Sequence, residues 1–139
     1  MDAETDVRQI RATMAERLVV DVNRAGEILL GEAQRRAPIE ESTLRGSASL
    51  ALIVNGQRFD GTGALAGAIA AARAAALAGQ DVDVAAEVSF NTVYASSQHE
   101  GLDYVHPKGG EAKYLERPLG ELAPRLTALI AAGQSRALG

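Results

Sequence analysis

Along the first quarter of the chain, apolar residues fall at Val7, Ile10, Met14, Leu18, Val22, Ala25, Leu29 and Ala33. The steps are threes and fours, the spacing that puts one apolar stripe on one face of an α-helix. They predict a single long helix over about residues 5–37. Thr5 or Asp2 offers a capping oxygen at its start. Pro38 stops it, because the residue before a proline avoids helical geometry. Glu32 and Arg36 stand one turn apart, as an i,i+4 ion pair requires. Such a helix would run to about 45–50 Å, more than a small core covers. It either lies across a sheet with one end frayed or packs against a neighbouring subunit. Gly26 and Gly31 each weaken an isolated helix by about 1 kcal/mol and would let another chain approach closely.

Beyond Pro38 the pattern changes. Residues 47–54 (SASLALIV) read as a strand and Asn55-Gly56 as its turn. FDGTG at 59–63 reads as a flexible loop. Residues 64–78 are ambiguous: their alanines favour a helix, while Gly67 and the lack of a polar face oppose one. Residues 82–90 (VDVAAEVSF) alternate apolar and polar positions, the mark of a half-buried strand. Residues 91–100 are expected to form a short helix or loop carrying Tyr94, Gln98, His99 and Glu100. Residues 101–112 (GLDYVHPKGGEA) read as a Gly- and Pro-rich loop, available as a docking arm. The last helix is expected to open near Pro118, which suits a first helical turn, with Leu115, Leu119, Leu122, Leu126 and Leu129 on one face. Pro124 should kink it or mark where regular geometry begins, and Gly133 is a candidate end. Neither an internal repeat nor a dividing linker is visible, so residues 1–139 read as one α+β domain. Its long N-terminal helix and its C-terminal helix pack on a small antiparallel sheet.

Composition narrows the classes. Apolar residues make up 47% of the chain, enough to fold, but aromatics only 4%. The core must therefore be built from small aliphatic side chains, and neighbouring subunits are expected to add stability. Without cysteine there are no disulfides and no thiolate metal ligands. The opening MDAETDVRQI carries three acids and no apolar run, so it is not expected to act as a signal peptide. No stretch nears the roughly 20 apolar residues of a membrane span. The formal charge of -4 argues against sequence-specific nucleic-acid binding.

The candidate chemistry is sparse. His99, Glu100 and His106 invite a metal, but the histidines are seven apart with Gly101 between them, and no second acidic cluster completes a site. Local hydrogen bonding fits them better: Glu100 accepting from a backbone N–H or a basic side chain, and His99 orienting it. Ser96, Ser97 and His99 lack an oxyanion-hole motif. Gly109-Gly110 followed by Lys113 lacks the ending of a phosphate loop. Arg35, Arg36 and Arg45 read first as a solvated face or as subunit salt bridges. All three tyrosines, Tyr94, Tyr104 and Tyr114, fall in one stretch, as suits a core or an interface alike. No enzyme activity, metal or cofactor is expected. A small metal-dependent hydrolase and a prophage-encoded soluble adaptor stand as alternatives to a structural role.

Three stretches carry a resemblance: APIEESTLRGS at 37–47, VSFNTVYASSQHE at 88–100 and YVHPKGGEAKYLERPL at 104–119. In this order they resemble the tail-completion, neck or head-tail connector proteins of long-tailed double-stranded DNA bacteriophages. The matching positions are Ala37, Pro38, Leu44, Arg45 and Ser47, then Tyr94, Ala95, His99 and Glu100, then Lys113, Tyr114, Leu115, Pro118 and Leu119. The chain departs from the pattern at Ser42-Thr43, where a Thr-Gly is usual, and in the alanine-rich stretch 64–78. The resemblance implies an α+β virion subunit, assembled in the host cytoplasm into a homo-oligomeric ring where head meets tail. Six-fold symmetry is expected, with twelve-fold as the alternative. The implied partners are neighbouring neck, tail-terminator or portal-adaptor proteins, with no membrane and no cofactor. Tyr94, His99, Glu100, His106, Lys113, Tyr114, Leu115 and Pro118 are then expected at an interface or anchoring the loop, and Pro38, Leu44 and Arg45 in the turn after the first helix.

Overall fold

The computed structural model describes residues 3–36, 49–88, 91–98, 101–109 and 113–138, and side chains at 7–32, 49–88 and 124–137. Three helices and five strands follow one another: α1 (Ala3–Arg36), β1 (Leu50–Val54), β2 (Gln57–Phe59), α2 (Ala64–Leu77), β3 (Val82–Val88), β4 (Asn91–Gln98), β5 (Gly101–Gly109) and α3 (Lys113–Leu138). The strands make one antiparallel sheet in the order β2-β1-β3-β4-β5. This is the α+β fold expected from the sequence, with long first and last helices.

Period-2 patterning decides which sheet face is covered. Leu52, Val54, Val82, Val84, Ala86 and Val88 share one buried cluster with α1, α2 and α3. Ala51 and Ala85 are also buried but stand outside that cluster, on the opposite face with Ile53, Asp83 and Glu87. The helices thus form a single layer on one side of the sheet.

α1 is the centre of that layer. It packs against α2 on one flank and α3 on the other, and lies over β1, β3 and β4. Burial therefore extends beyond the predicted stripe to Ala12, Ala15 and Val19. Gly26 belongs to this packing. A Cβ there would stand 2.6 Å from Leu50 Cδ1 and 2.8 Å from Ala86 Cβ. The close approach at Gly26 is thus to the chain's own sheet, not to another chain. Nothing lies within 4 Å of a Cβ built on Gly31. Because α1 starts at Ala3, Thr5 sits inside the first turn and is not its cap. The predicted end at Ala37-Pro38 lies just outside the described residues.

The Asn55-Gly56 turn forms as predicted. Both residues have positive φ, 47° and 85°, the signature of a two-residue type I′ hairpin. Asn55 also pins the turn to β3: its Nδ2 donates to the Asp81 carbonyl (3.2 Å) and its Oδ1 accepts from the Asp83 N–H (2.7 Å). The ambiguous alanine-rich stretch is helix α2. It ends in a Schellman arrangement, with Gly79 at φ 80° and N–H groups of Gly79 and Gln80 returning to the Ala76 and Ala75 carbonyls. Ala68, Ala72 and Ala76, one turn apart, give α2 its buried side.

Three expectations are corrected. Residues 91–98 are strand β4, not a short helix or loop; the β-branched and aromatic run Thr92-Val93-Tyr94 suits a strand paired on both sides. Within 101–112, residues Gly101–Gly109 form strand β5 rather than a loop. Pro107 is the reason the pattern misleads there: a proline removes a ladder donor, which only an edge strand tolerates, and β5 is an edge. The last helix opens at Lys113 rather than near Pro118 and runs past Gly133 to Leu138. Pro118 and Pro124 both fall inside it, so the carbonyls of Tyr114 and Gly120 lose their i+4 partners.

Candidate functional site

The sheet's uncovered face carries a polar stitch. In register, Arg58 stands opposite Ile53, which stands opposite Ala85, while Ala51 stands opposite Glu87. Arg58 reaches across β1 to Glu87 (Nη1–Oε1 2.9 Å) and also holds Asp60 (Nε–Oδ2 3.2 Å). The small Ala51 beside Ile53 leaves room for this span, and Ala51 is itself only 3% exposed. Hydrogen bonds to Glu87 and Asp60 push the guanidinium pKa above its ordinary value. The groups are half exposed, so the stitch orders side chains more than it stabilises the fold.

The predicted site residues are only partly brought together. Tyr94 of β4 is paired with Ala85 on one side and His106 of β5 on the other. Lys113, Tyr114, Leu115 and Pro118 occupy the first turns of α3, which packs against β5 and α1. β4 and β5 pair outward from Gln98 and Gly101. His99 and Glu100, between them in sequence, lie outside the described residues, as do Pro38, Leu44 and Arg45. Among the described residues no group of three His, Asp or Glu side chains converges as a metal site would require. No helix among them is long and apolar enough to cross a membrane.

Sequence reasoning missed the polar contact between α1 and α3. Asp21 is 2% and Gln134 3% exposed. Gln134 Nε2 donates to the Met14 carbonyl (2.8 Å), fixing α3 against α1, while its Oε1 is buried without a protein partner. Asp21 accepts from Arg17 Nε (3.1 Å) one turn away. Across the contact lies Gly133, where a Cβ would collide with Asp21 Oδ2. The lone glycine inside an otherwise helical pattern is the available signal, and from the sequence it reads as a helix end.

Burial raises the Asp21 pKa; the charge and hydrogen bond of Arg17, then the charges of Arg136 and Arg24, oppose that shift. A raised folded-state pKa contributes stability that is complete below the unfolded value and lost as pH climbs through the folded one. Asp21→Asn should therefore gain stability relative to wild type as pH rises from about 4 to 7. Urea midpoints of both proteins across that range measure it. A difference that stays flat or shrinks with pH would refute the raised carboxyl.

The fold and its surfaces define a two-layer α+β protein with one sheet face covered by helices. No family model, curated protein or solved structure matches the chain.

Proposed function

We propose that the protein is a structural subunit of a phage head–tail connection, a tail-completion or neck protein that assembles into a ring joining tail to head. The observation that carries this reading is the agreement between the fold and the architecture implied by the three resembling stretches. A long first helix (Ala3–Arg36), an antiparallel sheet and a long final helix follow in that order, although the Pro118-Leu119 step, which the resemblance puts at the opening of the final helix, lies inside it. The ring has six copies, or twelve. Its flanking partners are other neck, tail-terminator or portal-adaptor proteins, and the protein resides in the virion. The β4–β5 hairpin and the start of α3 hold most of the residues assigned to docking, and the docking element is thus an edge strand rather than a loose arm.

That edge strand changes the test. Deleting residues 101–110 would remove β5, on which α3 packs, so point substitutions are needed. His106→Ala with Lys108→Glu should leave the circular dichroism spectrum unchanged and cut the joining of heads to tails by about ten-fold or more, a loss of about 1.4 kcal/mol or more in docking. Native mass spectrometry of the purified protein with its neighbouring neck proteins should give a ring mass. Particles that assemble at normal titre without this chain would refute the connector role.

A further inference from the structure

The Asn55-Gly56 turn contains a reactive pair that the fold holds apart. Both residues are exposed. Gly56 brings no side chain to the neighbourhood of the asparagine, and nothing lies within 4 Å of a Cβ built on it. The Gly56 nitrogen and the Asn55 side-chain amide are therefore close along the chain and unshielded by bulk. The other asparagines differ. Asn23 and Asn91 are followed by Arg24 and Thr92, whose side chains crowd the same approach, and Asn23 lies within α1. At Asn55 the restraint comes from β3 instead. Nδ2 donates to the Asp81 carbonyl (3.2 Å), Oδ1 accepts from the Asp83 N–H (2.7 Å), and the Asn55 N–H donates to the Asp83 carbonyl (2.9 Å). The amide carbon sits between two bonded heteroatoms. Turning it onto Gly56 breaks both side-chain bonds and disturbs a left-handed turn, φ 47° then 85°.

We propose that Asn55 is a site of spontaneous modification gated by its clamp on β3: the closed turn protects the amide, and opening of the β1–β2 hairpin lets Gly56 convert it. In the open hairpin the Gly56 backbone nitrogen gives its proton to water and attacks Asn55 Cγ. The N–Cγ bond forms, the Cγ–Nδ2 bond breaks, and Nδ2 leaves as ammonia with a proton taken back from water. A further water then opens the cyclic imide. Cleavage at Cγ yields aspartate. Cleavage at the Asn55 main-chain carbonyl carbon yields isoaspartate, with the backbone rerouted through Cβ and Cγ. Nothing is oxidised or reduced, and water is the co-reactant. Either product keeps the gate open. Aspartate places an oxygen where Nδ2 donated, so that acceptor faces acceptor at the Asp81 carbonyl. Isoaspartate adds a backbone atom to the tight loop, which a type I′ hairpin does not accept. β2 is a short edge strand, Gln57–Phe59, and its pairing with β1 depends on that turn. Its release carries away the Arg58–Glu87 stitch as well. Conversion is thus a one-way loosening of this sheet edge, and it does not rest on the connector reading.

Peptide mass spectrometry of the full chain, kept in mildly alkaline buffer with and without denaturing guanidinium, tests it. In denaturant Asn55 should convert ahead of Asn23 and Asn91. The folded chain should convert it about ten-fold or more slowly, as a local closure of the turn requires. Leu18→Ala, which weakens the chain as a whole, should leave the folded-state rate unchanged, because the hairpin opens without global unfolding. Asn55→Asp, which installs the first product, should fold and speed amide hydrogen exchange at residues 55–59 without speeding it in α1. A denatured chain in which Asn23 or Asn91 converts first would overturn the site. A folded chain that converts Asn55 as fast as the denatured one, or a rate that climbs with Leu18→Ala, would overturn the gate. Exchange in Asn55→Asp as slow as in wild type would overturn the loosening.

Discussion

Leu18→Ala is expected to lower the unfolding free energy by about 2–5 kcal/mol. Leu18 is wholly buried at the middle of α1, within the cluster that α1 forms with both other helices and the sheet. Truncation there removes apolar contacts and leaves a cavity that three packed neighbours cannot easily collapse. The aromatic-poor core sharpens the effect, since few large side chains are at hand to fill the space. Ile10→Ala makes the control. It sits on the same stripe two turns earlier but is 46% exposed, so in dilute solution its cost should stay below about 0.5 kcal/mol. Urea unfolding of both variants at equal m-values reads the difference. Equal losses at the two positions would mean that the start of α1 is covered as fully as its middle.

Gly133→Ala is expected to destabilise the protein by about 1–3 kcal/mol, against the usual trend. In an open helix the same change gains about 1 kcal/mol, because alanine restricts the unfolded chain and glycine does not. Here the new methyl would collide with Asp21 Oδ2 and stand 3.1 Å from Arg17 Nε. Asp21 has little room to yield, being buried and held by Arg17. A double-mutant cycle isolates the contact. In an Asp21→Ala background, alanine at 133 should become neutral or stabilising, giving a coupling above about 1 kcal/mol. A stabilising Gly133→Ala in the wild-type background would show that α3 does not approach α1 at this point.

The elements legible in the sequence are those whose local pattern agrees with their tertiary role. The threes and fours of α1 mark one apolar face, and α1 does lie with that face on the sheet. The alternation from Val82 to Val88 and the Asn55-Gly56 turn are similarly local signals, and both form where expected. Strand β5 escapes such a reading because it contains Gly101, Pro107 and Gly109, and a proline inside a strand is tolerated at a sheet edge. Edge position is a property of the assembled sheet, not of the segment. The start of α3 is misplaced for a related reason: Pro118 fits a first helical turn, yet the helix runs through it from Lys113. Of the candidate site, the sequence offered no recognisable catalytic motif to build on, and it could not show that Tyr94 and His106 are paired across two strands.

Spacing of apolar residues and the positive-φ turn at Asn55-Gly56 determined the class of fold and the axis of its longest helix, because each depends on neighbours within a few residues. Which parts of α1 are covered was a tertiary decision. One stripe runs from Val7 to Leu29, but only from Met14 onward do α2, α3 and the sheet close over it. The same holds for Asp21, which looks like a surface acid on a helix and becomes a buried one only because α3 passes at Gly133. Glycine at 133 has no side chain whose pattern could announce that crossing. Its meaning lies in the missing Cβ, and a missing atom acquires significance only when another chain segment is brought against it.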